Sequence, residues 1–142
     1  MKETENEARR WFLQAENDFS FVKWVHKEGS FFDKGCFIAQ QAGEKALKAC
    51  LYACGERRII GHSLFELTQA LCAKDDSFHA LINPAKRLDR FYIPTRYPNG
   101  LPGGCPFQVF TAEDISEACE DVKEVIGVCK RFLEKQKITL EK

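Results

Sequence analysis

The fold is decided by residues 33–54, which read DKGCFIAQQAGEKALKACLYAC. Small side chains recur along this stretch at steps of three and four residues, so they form one row on a helix. Such a row lets a neighbouring backbone approach closely, and it is typical of a helix at the centre of a bundle or at an interface between subunits. Asp33 is predicted to cap this helix, and Gly55 to follow its end. The row consists of Gly35, Ala39, Gly43, Ala46 and Cys50.

Two further long helices are predicted on either side of this stretch. Apolar residues recur with helical spacing through residues 4–28, and Gly29 is placed to end that helix. Thr111 is predicted to cap the last helix, because acidic residues follow in the first turn and an apolar stripe then continues. Strand signals are weak throughout. These patterns predict an all-α fold, an antiparallel helical bundle with additional short helices.

The middle of the chain is predicted to hold shorter elements and one long loop. Ser63 and Glu66 have the spacing of a capping box, which predicts a helix that continues to about Cys72. A short helix is predicted over residues 75–82, and Pro84 is predicted to open another.

Residues 94–110 contain four of the five prolines and three glycines, so no regular element is predicted there. Loops of this length inside a compact domain are often functional. The predicted domain covers residues 1–136, and residues 137–142 are predicted to be a frayed tail.

The charge balance limits the kinds of partner that the chain can bind. It has 21 basic and 21 acidic residues and a formal net charge of zero. A protein that binds nucleic acid by general attraction to phosphate usually carries a basic excess. DNA is therefore not an expected partner, and any phosphate site has to be a local cluster.

The length of the apolar runs indicates where the protein is located in the cell, and the spacing of the cysteines indicates whether it binds a metal. No uncharged apolar run approaches the ~20 residues that span a bilayer, and the charged N-terminus does not resemble a signal peptide. A cytoplasmic location without a membrane partner is therefore predicted. The seven cysteines lack zinc-site spacing, so they are expected to be reduced, small apolar residues with no bound metal.

A basic and aromatic run is the first candidate site. Arg90 and Arg96 flank Tyr92, and Tyr97 follows. The planar guanidinium of arginine suits phosphate, and tyrosine can stack on a base. The alternative is structural: Arg96 pairs with a carboxylate, and the tyrosines pack at the edge of the bundle.

A second candidate site lies at the link that precedes Ser63. It contains Arg57, Arg58 and His62, with Lys45 and Lys48 on the preceding helix. A histidine near an arginine can act as a general base on a ribose hydroxyl while the arginine stabilises the phosphate. The alternative is that His62 caps the next helix or bonds to the backbone.

Several of these segments resemble the HEPN family. Residues 36–49 are similar to its second helix, residues 61–64 to its Gly-His-x-Leu element, and residues 92–98 to its Tyr-Ile-Pro-Thr-Arg-Tyr-Pro segment. Within the family, the chain most resembles the sacsin-type domain, which is the C-terminal domain of a very large cytosolic, chaperone-related protein.

This resemblance implies a homodimer that binds GTP or ATP through basic residues near the dimer interface, needs no cofactor and reaches chaperone machinery through its parent protein. Some HEPN proteins are metal-independent ribonucleases with an Arg-x(4–6)-His motif. Arg57 and His62 fit that spacing, but Arg58 stands where the motif usually has Asn, Asp or His. The function predicted is therefore noncatalytic nucleotide binding and dimerisation. The alternatives are a pure assembly module and, ranked last, a ribonuclease.

Overall fold

The chain folds into a helical bundle, as the computed structural model of residues 2–140 shows. The described residues form six α-helices and two 3₁₀ turns and contain no strand. The predicted all-α class is confirmed. The helices are α1 (Lys2–Glu28), α2 (Phe32–Ala53), α3 (Leu64–Cys72), α4 (Ile82–Asp89), α5 (Pro106–Val109) and α6 (Ala112–Lys135), with 3₁₀ turns at Asp76–Leu81 and Pro98–Gly100.

Helix α2 lies at the centre and packs against α1, α6, α3 and α4. A Cβ atom on Gly35 would lie 2.6 Å from Val25 Cγ1 on α1 and 2.7 Å from Ile115 Cδ1 on α6. A Cβ atom on Gly43 would lie 2.5 Å from Leu64 Cδ2 on α3. The small-residue row is therefore filled by helices of the same chain, which removes the observation that motivated the pure assembly module.

Helix ends follow the predicted caps with one exception. Gly29 has φ +73° directly after α1, a conformation that glycine adopts without strain. Ser63 and Thr111 accept hydrogen bonds from the backbone N–H groups three residues later. The prediction for Asp33 was wrong, because the cap position of α2 is occupied by Phe31 in a left-handed conformation, with φ 60°. Asp33 instead lies in the first turn of α2.

The Pro/Gly-rich segment holds more regular structure than predicted. It contains the turn Pro98–Gly100 and the one-turn helix α5. Proline is tolerated there because Pro98 and Pro106 stand at the first positions, where a backbone N–H has no partner within the helix. For the same reason α4 accommodates Pro84 in its first turn, and the helix begins at Ile82 rather than at the proline.

The C-terminal segment packs against the bundle as far as the structure describes it. Ile138 is buried in the core, and Leu140 is partly buried against it. The predicted frayed tail therefore packs in its first part, whereas residues 141–142 lie outside the described residues. The boundary at residue 136 stays a prediction.

The core is apolar, and buried cysteines serve in it as small apolar side chains. None of the seven cysteines forms a disulfide, and Cys36, Cys50, Cys119 and Cys129 are buried. Burial raises the pKa of the Cys36 thiol to about 12, so this thiol is neutral. No helix within residues 2–140 is both long and apolar enough to cross a membrane.

Candidate functional site

His62 is held between α2 and the segment that follows α4. Its ring stacks on Tyr92, with the centroids 5.1 Å apart and the planes at 19°. Its Nδ1 lies 3.2 Å from Glu44 Oε2, and its backbone oxygen accepts a hydrogen bond from Gln40 Nε2 at 2.8 Å. The side chain nevertheless remains 58% exposed. His62 therefore presents a fixed ring to solvent, and the cap of α3 is Ser63.

A buried ion pair stands behind His62. Glu44 Oε2 lies 3.0 Å from Lys48 Nζ, and both side chains are less than a tenth exposed. The Lys48 ammonium group also lies 5.6 Å from the centre of the Trp11 ring. A buried charge is tolerated when it is paired and hydrogen-bonded, so Lys48 supplies the partner that the buried Glu44 carboxylate needs.

The sequence-based interpretation missed Gln40 and Glu44. Both are buried, and with Lys48 they are spaced four residues apart along α2. That spacing puts three polar side chains on one face of a helix whose other neighbours are small and apolar. This row of polar residues is the feature of the sequence that could have indicated Gln40 and Glu44 as site residues.

Arg96 lies on an aromatic platform next to this cluster. Its guanidinium carbon is 4.5 Å from the centre of the Phe37 ring, 4.6 Å from Tyr92 and 5.2 Å from Tyr97. Its Nε donates to the Tyr92 carbonyl at 2.8 Å. No carboxylate within residues 2–140 forms an ion pair with Arg96, contrary to the structural alternative. Its charge is therefore left for an external anion.

Asp89 fixes the position of His62 relative to Tyr92. Its Oδ1 accepts from the Leu64 N–H at 2.7 Å, and its Oδ2 accepts from the Phe65 N–H at 3.0 Å. The Ser63 hydroxyl donates to Oδ2 at 2.9 Å. Asp89 thus ties the start of α3 to the end of α4. This link brings His62, which precedes α3, next to Tyr92, which follows α4.

Arg57 and His62 do not come together as a catalytic pair. Arg57 pairs with Glu3 on α1 at 3.4 Å, whereas His62 contacts Glu44 on α2. The two side chains therefore have different ion-pair partners, on different helices.

Three other predicted site residues have partners or surroundings other than the His62 ring. Lys45 pairs with Asp18 on α1 at 2.6 Å. Arg58 lines a cavity of about 280 Å³ that Gly61 and Ser63, the two neighbours of His62 in the chain, also line. Arg90 is the residue that directly follows α4. Of the predicted set, the structure brings together Lys48, His62, Tyr92, Arg96 and Tyr97.

The family follows from the sequence. The family model of the HEPN domain matches residues 8–132. The chain belongs to the HEPN family. Dimerisation is general among HEPN domains. The finer resemblance to the sacsin-type domain is not shown by these comparisons, and neither is a nucleoside triphosphate or chaperone partner.

Two solved structures share the fold. The crystal structure of TT1696 from Thermus thermophilus is 33% identical, with a TM-score of 0.82, and the match covers 89% of this chain and 98% of TT1696. The crystal structure of ST0689, an archaeal HEPN homologue, is 29% identical, with a TM-score of 0.71 and coverage of 89% and 97%. The HEPN helical bundle thus extends over nearly the whole chain.

A sequence relative corrects the predicted function. "Putative toxin MJ1304" of Methanocaldococcus jannaschii is 26% identical over 137 residues, which make up 91% of this chain and 90% of that protein. This relative is a small protein with the name of a toxin. The prediction of a noncatalytic GTP- or ATP-binding domain within a large chaperone-related protein was therefore wrong.

The site contains no cluster of side chains with the geometry of a metal site among the described residues. Within the part of the chain that the structure describes, no three His, Cys, Asp or Glu side chains lie close enough together to hold a metal ion.

Proposed function

We propose that this protein is a toxin-type ribonuclease that cleaves RNA by attack of a ribose 2′-hydroxyl on the adjacent phosphate. The observation that carries the proposal is His62, an exposed histidine whose ring is oriented by the buried Glu44 and by the stack on Tyr92. Support comes from the toxin name of a relative that matches over 90% of its own length.

The contact with Glu44 leaves His62 suited to act as a base. An ionised carboxylate can only accept a hydrogen bond, so Nδ1 carries the proton in this contact. In the neutral ring Nε2 then has a free lone pair. No side chain among the described residues hydrogen-bonds to Nε2, and the ring is exposed, so a ribose hydroxyl can reach this nitrogen.

Cleavage proceeds in one displacement at phosphorus. His62 Nε2 takes the proton of the 2′-hydroxyl, and the 2′-oxygen forms a bond to phosphorus. The bond from phosphorus to the 5′-oxygen breaks, that oxygen takes a proton from water, and His62 releases its proton to the hydroxide that remains. The products are a 2′,3′-cyclic phosphate and a 5′-hydroxyl. Arg96, which has no carboxylate partner among residues 2–140, stabilises the charge that develops on the phosphoryl oxygens.

Incubation with mixed RNA tests the proposal. The wild-type chain is expected to cleave RNA to 2′,3′-cyclic phosphate ends, and His62→Ala to lower the rate by about 100-fold or more, the usual contribution of a general base. His26→Ala is the matched control, because His26 is an exposed histidine on α1 outside the cluster. Cleavage that survives His62→Ala, or an inactive wild type, contradicts the proposal.

Expression in a bacterial host tests the toxin part separately. Induction of the wild-type chain is expected to stop growth and to reduce intact cellular RNA, and His62→Ala is expected to restore both. Growth arrest that persists in His62→Ala at equal protein level would show that toxicity does not depend on this site.

A further inference from the structure

Four aromatic rings are exposed on one face of the bundle. They are Phe21 and Trp24 on α1, Phe31 directly before α2, and Phe107 on α5. Trp24 is 51% exposed, Phe31 62% and Phe107 68%. A single exposed apolar side chain is ordinary, but adjoining ones form a patch, and large patches mark sites of interaction. These four residues are called the aromatic face below.

Contacts and a shared cavity make the aromatic face continuous. Phe21 stacks on Trp24, with the ring centroids 6.1 Å apart. Phe21 and Phe107 line the same cavity of about 660 Å³, one from α1 and the other from α5. Lys34 lines this cavity too, and its Nζ lies 5.7 Å from the centre of the Phe31 ring. The aromatic face therefore combines a hollow with exposed rings around it.

The area of the aromatic face suits the core of a protein interface. One large aromatic side chain offers roughly 200 Å², so the exposed parts of the four rings amount to about 400 Å². A stable interface covers about 800 Å² of each partner, and its centre is rich in aromatic residues inside a polar rim. The four rings thus provide about half of the area that such an interface needs.

The charges around the cavity favour a partner without a strong net charge. Among the described residues, Asp18, Asp33, Lys34 and Arg96 line it, so the two signs balance. Lys34 pairs with Asp33 at 3.0 Å, and Asp18 pairs with Lys45 at 2.6 Å. The whole chain has a formal net charge of zero, and a net charge away from zero is what keeps proteins apart. Two copies of this chain therefore meet without general repulsion.

The small-residue row of α2 is not available for an interface, because helices of the same chain fill it. Dimerisation is nevertheless general among HEPN domains. We propose that two copies of this chain associate through the aromatic face, with the cavity of each copy receiving exposed rings of the other. A twofold interface uses the same patch twice and has to be complementary to itself. The aromatic face meets this condition, since it supplies both the hollow and the rings. This inference goes beyond the proposed function and does not depend on RNA cleavage.

Sedimentation equilibrium of the wild-type chain and two variants tests the proposal. The wild type is expected to show twice the 16.3 kDa mass of one chain at micromolar concentration. Phe107→Glu and Trp24→Glu each place two carboxylates in the apolar interface. Each is expected to raise the dissociation constant of the dimer by about 30-fold or more, as for the loss of a residue that dominates an interface. Both side chains are exposed, so circular dichroism should show unchanged helix content.

Ile60→Glu is the matched control. Ile60 is 81% exposed, more than any of the four rings, and it lines a different cavity. The same chemical change at this position is expected to leave the dissociation constant at the wild-type value.

A measurement on the wild type keeps the test independent of the variants. In an equal mixture of isotope-labelled and unlabelled chains, filtered NMR spectra detect only contacts between copies. Nuclear Overhauser effects between copies are expected at the rings of Trp24 and Phe107.

Four outcomes overturn the proposal. A monomeric wild type does so and leaves the aromatic face to a different protein. A dimer without contacts between copies at Trp24 or Phe107 does so too, as does a dimer that Phe107→Glu and Trp24→Glu both leave intact. Dissociation by Ile60→Glu, with the two ring variants still dimeric, would assign the interface to the surface around Ile60.

Discussion

The imidazole of His62 and the ring of Tyr92 stack with their centroids 5.1 Å apart, although α3 and α4 lie between them in the sequence. The stack forms because Asp89 ties the start of α3 to the end of α4. With Tyr92 on one face and Glu44 at Nδ1, the ring has little freedom to rotate. A side chain fixed in this way has already lost the rotamer entropy that an exposed histidine would otherwise lose on binding RNA.

Loss of the Glu44 carboxylate should destabilise the fold as well as the site. Glu44→Gln leaves the buried Lys48 ammonium group without its ion-pair partner. We expect the free energy of unfolding, measured with urea, to fall by about 3–5 kcal/mol. The matched control is Glu7→Gln, which breaks the exposed pair with Arg10 and should cost less than about 1 kcal/mol. Equal losses in the two variants would mean that the burial of the Glu44–Lys48 pair has no energetic consequence.

Arg96 should matter for RNA and little for stability. Arg96→Ala is expected to lower kcat/KM for RNA cleavage by about 100- to 1,000-fold, the effect of removing one donor to a developing oxyanion. Unfolding free energy should fall by no more than about 1 kcal/mol, the worth of an exposed cation–π contact. Arg90→Ala removes an exposed arginine outside the cluster and serves as control. If both variants cleave equally well, Arg96 has no part in the reaction.

Asp89 is predicted to act on His62 through the backbone. Asp89→Ala removes acceptors for the N–H groups of Leu64 and Phe65, and we expect it to cost about 1–2 kcal/mol, as for the loss of a helix cap. Hydrogen exchange at these two amides should accelerate, and cleavage should fall with it. Asp89→Asn keeps one acceptor oxygen and should lie between wild type and alanine. Unchanged exchange at both amides would contradict the role assigned to Asp89.

Acid should weaken the fold partly through Asp75. The backbone N–H of Ser77, the Ser77 hydroxyl and Lys135 lower the pKa of Asp75 from 3.8 to about 2. A lowered folded-state pKa stabilises the protein above the unfolded value, and this stabilisation is lost as the pH falls from about 4 through 2. Asp75→Asn should therefore be less stable than wild type at pH 7, with the difference shrinking toward pH 2. Urea midpoints across this range measure the effect, with Asp76→Asn as the exposed neighbouring control. A difference that stays constant with pH would count against it.

Alkylation should distinguish the buried thiols from the accessible ones. Burial raises the pKa of Cys36 to about 12 and raises that of Cys50 well above its usual value, so neither forms a thiolate at pH 8. Iodoacetamide at pH 8 should modify Cys54, Cys72 and Cys105 in the native protein before these two, as mass spectrometry of digests would show. Rapid modification of Cys36 under native conditions would contradict its burial.

The periodicity of apolar residues predicted the helices. The prediction differs from the structure where the backbone adopts a conformation that the side chains do not indicate. Gly29, Ser63 and Thr111 act at the helix ends as the sequence indicates, because glycine conformation and side-chain capping are local properties. The start of α2 was missed, since Phe31 adopts a left-handed conformation that its own type disfavours. The helical turn at Pro106 was not predicted, because a high proline content disfavours a helix in general, whereas a proline at the first position of a helix is tolerated.

The sequence by itself determined the helical fold and the HEPN family, and it predicted the candidate site segments around residues 61–64 and 92–98. Only the tertiary structure decided which side chains meet. Arg57 and His62 are close in sequence, yet Arg57 pairs with Glu3 on α1 and His62 contacts Glu44 on α2. The partners of His62 come instead from the middle of α2 and from beyond α4. The physical reason is that helical spacing fixes the face on which a residue lies, whereas the packing of helices determines what that face touches.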